Sequence, residues 1–193
     1  MSHVDDPPAH DDVVTDEEIR RWSAAYAARA VREYDLSVDL ARVDWSVSAR
    51  AKRRAAAVKR PRVADAEVGV ELDWETAALG PSIPRCTVSL TRAAFESYSR
   101  REWTETVRHE LVHVEQFQRF GATGHGDQFE RRAADVGAPV TCRRFATPKY
   151  RLRCTACESV VARRYRECKL VRAVDRYRSN CCEAALRCER VES

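Results

Sequence analysis

The chain has 193 residues, a third of them charged, and a net charge of +4. That length suits one domain with an appendage, or two small domains, and is enough to bury a core. No apolar run approaches the roughly 20 residues of a membrane-spanning helix. The opening MSHVDDPPAHDDVVTDEE lacks the basic and apolar regions of a secretory signal, so a cytoplasmic location is expected.

Residues 1–14, acidic and Pro-containing, read as a disordered tail. Thr15 and Glu18 then form a T-x-x-E capping box, and Ile19, Trp22, Tyr26 and Ala30 fall on one helical face. The alternation in VDWSVSAR (43–50) predicts a strand with Val43, Trp45 and Val47 on one side. RAKRRAAAVKRPR (50–62) follows, with seven bases and no acid. EVGVELDW (67–74) reads as a second strand, ALGPSIPR (78–85) as a turn, and Thr87–Leu90 as a short third strand. Ser99 and Glu102 form another capping box, opening a helix that carries Trp103, Val107, His109, Glu110, His113, Val114 and Phe117. Gly121 is its stop signal. DQFE (127–130) starts a further helix ending near Gly137, and TPKY (147–150) links to a Cys-rich end. The expected division is a main domain over 15–148 and a small segment over 149–193.

The histidines carry the first chemical signal. His3 and His10 lie in the acidic tail, and the other three are His109, His113 and His125. HELVH places two imidazoles one helical turn apart on one face, where both reach a single ion. Glu110 is the candidate base, taking a proton from water that the ion acidifies and returning it to the leaving amine. A catalytic zinc takes three protein ligands and keeps a fourth position open. A third histidine six residues beyond His113 is ruled out, because Arg119 stands there. The candidates are His125 and Glu130. The helix travels about 12 Å from His113 to Gly121, and four extended residues return about 14 Å, so His125 is in reach.

Eight cysteines in a chain without an export signal point to metal rather than disulfides. Cys154, Cys157, Cys168, Cys181, Cys182 and Cys188 crowd the last forty residues, whereas Cys86 and Cys142 read as small buried apolar residues. Residues 141–193 also hold fourteen bases against six acids.

HELVH followed by HGDQF resembles the paired HExxH and HGxxF of the SprT-like zinc metalloprotease family. YRLRCTAC…YRSNCCEAAL is similar to the zinc ribbon that often follows such a domain. The likeness covers roughly residues 16–190. It implies an α+β fold: a compact zincin-like domain, with helices packed on a small three-stranded sheet and HExxH on the active-site helix, followed by a small zinc ribbon. It implies His109, His113 and His125 as ligands of a catalytic zinc, Glu110 as the base, and Gly126 and Phe129 as packing residues that set the third ligand. It implies peptide-bond hydrolysis, associated with DNA and directed at proteins crosslinked to it. The chain departs from the family in the ribbon, where Ser179 stands in place of an expected cysteine. Cys154, Cys157, Cys181 and Cys182 are then the favoured set for a structural zinc, with Cys168 in reserve and Cys188 a bystander.

Arg151, Arg153, Arg163, Arg164, Arg166, Lys169 and Arg172, interleaved with Tyr165 and Tyr177, suit phosphates and unpaired bases. The expected partners are a protein substrate and DNA, with no membrane, which would place the chain at the nucleoid. The alternative is a non-catalytic zinc-containing nucleic-acid-binding module. Oligomeric state is left open.

Overall fold

The computed structural model describes residues 9–51, 53–77 and 82–191. The chain divides into two compact units, Met1–Phe145 and Ala146–Ser193.

In the first unit, the capping box of Thr15 and Glu18 is formed, each backbone N–H received by the other's side chain. It opens α1 (Asp16–Glu33), which buries Ile19, Trp22, Tyr26, Ala27 and Ala30. Three strands follow: β1 (Val43–Ser48), β2 (Ala56–Lys59) and β3 (Cys86–Thr91), in the order β1-β3-β2. β1 runs parallel to β3 and β2 antiparallel to it. β3 is central and its Cys86, Val88 and Leu90 are buried. A single turn, α2 (Arg92–Phe95), leads to Ser99, whose capping box with Glu102 opens α3 (Arg100–Phe120). α3 ends on Gly121 at φ 69°, left-handed backbone that glycine adopts without steric cost. α4 (Asp127–Asp135) is drawn onto α3 by Arg132, whose guanidinium grips Glu115 at 2.7 and 3.0 Å. Trp22, Phe95, Trp103, Phe117 and Phe129 form the bulk of the core, and the Trp103 indole donates to Ser23 Oγ at 3.0 Å. The result is a mixed α+β arrangement with small sheets.

Two expectations need correction. No strand forms over 67–74; the edge strand is Ala56–Lys59, inside the basic run. Segment 67–74 instead finishes α3. The Leu72 N–H donates to the Arg119 carbonyl at 3.0 Å, and the Trp74 indole to the Gln118 carbonyl at 2.7 Å. Carbonyls of the last helical turn have no partner within their own helix, so these bonds answer a real deficit. The acidic N-terminal stretch is also ordered from Ala9 on. His10 opens a short 3-10 turn and is buried, its ring 4.2 Å from Phe95 and 5.7 Å from Trp22. The remainder of that tail, residues 1–8, and the first half of the 78–85 turn lie outside the described residues. Cys86 is buried as expected, whereas Cys142 is only half-buried.

The second unit is a three-stranded antiparallel sheet of β4 (Tyr150–Cys154), β5 (Val160–Arg164) and β6 (Leu186–Arg190), ordered β5-β4-β6. A single helical turn, α5 (Lys169–Arg172), lies between β5 and β6 in the chain. Only Leu152, Cys154, Ser179 and Leu186 are buried here among the described residues. Among the described residues, no helix is long and apolar enough to cross a membrane.

Candidate metal centre and cleft

α3 delivers His109 and His113 to the same face, and the loop between Gly121 and α4 brings His125 back to them. The three Nε2 atoms converge: His113 to His125 is 3.1 Å and His125 to His109 is 3.3 Å. Tetrahedral ligands at about 2.0–2.1 Å from an ion stand about 3.3 Å apart, so this spacing fits a small divalent cation. α3 runs unbroken to Phe120, and the loop alone returns His125. Glu130, the other candidate, is not in the cluster.

Each helical imidazole is held by its other nitrogen. His109 Nδ1 donates to the Pro139 carbonyl at 2.7 Å, and His113 Nδ1 to Gln116 Oε1 at 3.2 Å. These bonds fix the tautomer that leaves the Nε2 lone pairs facing inward. Burial, with help from neighbouring His109, pushes His113 down to about 3. Burial also lowers His109, against the pull of Pro139. Both rings are therefore neutral at ordinary pH, the state a metal requires. Phe129 packs against all three rings, with centroids 4.9, 4.5 and 4.7 Å from His109, His113 and His125.

Gln116 is the site residue that the sequence reading missed. It is fully buried, and its Oε1 also accepts the Gly124 N–H at 3.2 Å, while its amide donates to Gln128 Oε1 at 2.6 Å. One side chain thus steadies a helical imidazole and the loop carrying the third. The available signal was its place three residues after His113, on the same helical face.

Glu110 is 3 % exposed and its Oε2 has no hydrogen-bond partner. Burial pushes its carboxyl up to about 8, opposed by the Val58 backbone and the charge of Arg54. An orphaned buried acceptor beside three converging imidazoles is the place for a water and an ion. Together these residues line a cleft of about 480 Å³ that also includes residues 53–58 and 140–143. β2 is an edge strand. The Thr91 N–H bonds the Ala55 carbonyl, so by alternation Ala57 and Lys59 pair with β3, and Ala56 and Val58 turn their backbone groups to the open edge.

In the second unit, Cys154, Cys157, Cys181 and Cys182 bring sulfur atoms within 4.8 Å of one another, and Cys168 is outside the group. Cys157 and Cys181 sulfurs are 3.5 Å apart. Ser179 is buried and donates to Cys154 Sγ at 3.2 Å, which holds that thiol down to about 6. The neighbouring Cys157 and Cys181 sulfurs push Cys182 up to about 12. Four thiols so close resist ionising together, and a divalent cation removes that conflict. The adjacent pair Cys181 and Cys182 both reach the cluster, so Ser179 supports it from outside.

Of the seven cations expected to meet nucleic acid, the four on the sheet divide between its faces. The pairing of Arg151 with Arg163, and the two-residue step to Arg153, puts those three on one sheet face; Arg164, opposite Tyr150, is on the other. Arg153 is already paired with Glu189 at 3.0 Å. Lys169 and Arg172 belong to α5, and Arg166 to the segment before it.

Fold and site define an α+β domain with a three-imidazole centre suited to a metal ion and a four-thiol cluster in its companion unit. The chain belongs to the SprT-like family, which it matches over residues 23–155. Membership suggests a zinc-dependent metalloprotease-like domain, and both ligand clusters are consistent with zinc. A search among curated proteins returned no match.

Proposed function

We propose that the chain is a zincin-like, zinc-dependent endopeptidase that works on proteins held at DNA. The observation that carries this is the convergence of three imidazole nitrogens beside a buried carboxylate with an unpartnered oxygen. His109, His113 and His125 are the residues that would hold zinc. When bound, zinc supplies Lewis acidity, acidifying a water and polarising a carbonyl. Burial alone would keep Glu110 protonated near neutral pH, but the charge of a cation held by the triad would favour its ionised form. As a carboxylate it accepts the water's proton and delivers it to the nitrogen of the departing amine. The N–H and C=O of Ala56, which face the edge of β2 away from β3, align an extended peptide along that edge, the usual way a strand is added to a sheet.

Glu110→Gln tests the reading. Hydrolysis of an unfolded protein by the zinc-loaded full chain should fall by about 10²–10⁴-fold with zinc content unchanged. Wild-type turnover in that variant would sink it.

The second cluster, Cys154, Cys157, Cys181 and Cys182, would hold a structural zinc, since four thiolates leave no open position. Association with DNA is supported by the basic second unit, where Arg151 and Arg163 stand side by side. Affinity for a duplex should fall steeply with salt and weaken in Arg151→Ala/Arg163→Ala. A non-catalytic module is disfavoured by Glu110, since a purely structural site has no use for a buried carboxylate there.

A further inference from the structure

The charge inside the cleft is one-sided. Arg53, Arg54 and Arg143 line it, and among the described residues Glu110 is the one acid in its lining. Arg143 is committed to Glu102 at 2.6 Å. Arg53 and Arg54 are exposed, and among the described residues their side chains make no ion pair or hydrogen bond. Both lie within three residues of the start of β2, separated from it by Ala55, and the Arg54 charge is felt at Glu110. A peptide paired with Ala56 advances about 3.3 Å per residue, so its side chains within two or three positions of the scissile bond pass these guanidiniums.

We infer that Arg53 and Arg54 make the cleft selective for peptides bearing Asp or Glu within two or three positions of the scissile bond. The inference rests on the peptidase reading of the same site. A carboxylate meets the planar fork of arginine with two parallel hydrogen bonds, whereas a substrate lysine meets only like charge. A divalent ion in the triad adds to the same positive field. Nucleic acid shares the anionic chemistry, but Arg53 and Arg54 line the same cleft of about 480 Å³ as the three imidazoles and Glu110, which favours a ligand that enters it.

The test uses the zinc-loaded full chain and matched quenched-fluorescence peptides with Asp, Ala or Lys at each position flanking the cleaved bond. Acidic peptides should have a kcat/KM about tenfold or more above lysine peptides, and Arg53→Glu/Arg54→Glu should erase or reverse that order with zinc content unchanged. Binding of the same peptides to the Glu110→Gln chain, read by anisotropy, should rank them identically. Equal cleavage of acidic and lysine peptides overturns the inference while leaving the peptidase reading intact. A preference that survives in the double variant overturns the assignment to these arginines. Inhibition by a single-stranded oligonucleotide that vanishes in the double variant, without any peptide preference in wild type, assigns the pair to nucleic acid and also overturns it. No cleavage of any peptide removes the peptidase reading and this inference together.

Discussion

Gln116 and Gly124, eight residues apart, are joined by a 3.2 Å hydrogen bond from the Gly124 N–H to the Gln116 side-chain oxygen. The same oxygen receives His113 Nδ1. Gln116→Leu leaves both donors unanswered next to the metal centre. Its metal affinity, measured by competition with a chromophoric chelator, should fall about 10–100-fold. Gln116→Glu keeps an acceptor at that point and should recover most of the loss. Equal loss in both variants would show that Gln116 acts only as packing.

On the proposed reading the chain holds two zinc ions, and His125→Ala and Cys154→Ser should each remove one equivalent. The structural effects should differ. The second unit buries few side chains among the described residues, so loss of its ion should unfold it. Proteolysis should then attack residues 146–193 of Cys154→Ser and leave those of His125→Ala intact. Elemental analysis beside limited proteolysis reads both.

The capping box of α3 gives a pH dependence. The Arg143 guanidinium and the Ser99 backbone N–H hold Glu102 down to about 2, from an ordinary value of 4.5. A depressed carboxylate contributes stability that is present above about pH 4.5 and is lost as pH falls towards 2. Partial exposure and salt keep the contribution small. The melting temperature of wild type should exceed that of Glu102→Gln near pH 6, and the gap should close between pH 4.5 and 2. A gap independent of pH would contradict this.

Gly121→Ala should destabilise the domain. A β-carbon at this left-handed residue would lie 2.7 Å from Leu72 Cδ2 and 3.2 Å from Val63 and Ala66. The conformational cost alone is about 1 kcal/mol, and the clash adds to it. Thermal unfolding should drop by about 2–4 °C for each kcal/mol in a chain of this size. An unchanged melting curve would show that the 67–74 segment yields freely.

Much of this was legible before any coordinates. Both capping boxes form at Thr15 and Ser99 because they are local chemistry, complete within four residues. The histidine cluster follows from helical periodicity and loop reach. The strands were harder. Val68, Val70 and Leu72 alternate as a strand should, yet their segment is recruited to satisfy α3 carbonyls, a tertiary demand that leaves no trace in periodicity. Ala56–Lys59 has three small or charged residues of weak strand preference and pairs only because β3 offers it an edge. His10 sat in an acidic stretch, and only the Trp22 and Phe95 rings reveal why it is buried.

Three imidazoles lean on the single ring of Phe129. A nest braced in this way keeps its three nitrogens at their spacing by packing alone. Ions that insist on six oxygen neighbours, such as magnesium, find too few donors and the wrong kind. Selection among cations thus falls to the three nitrogens, and the hydrocarbon ring beneath them holds their spacing.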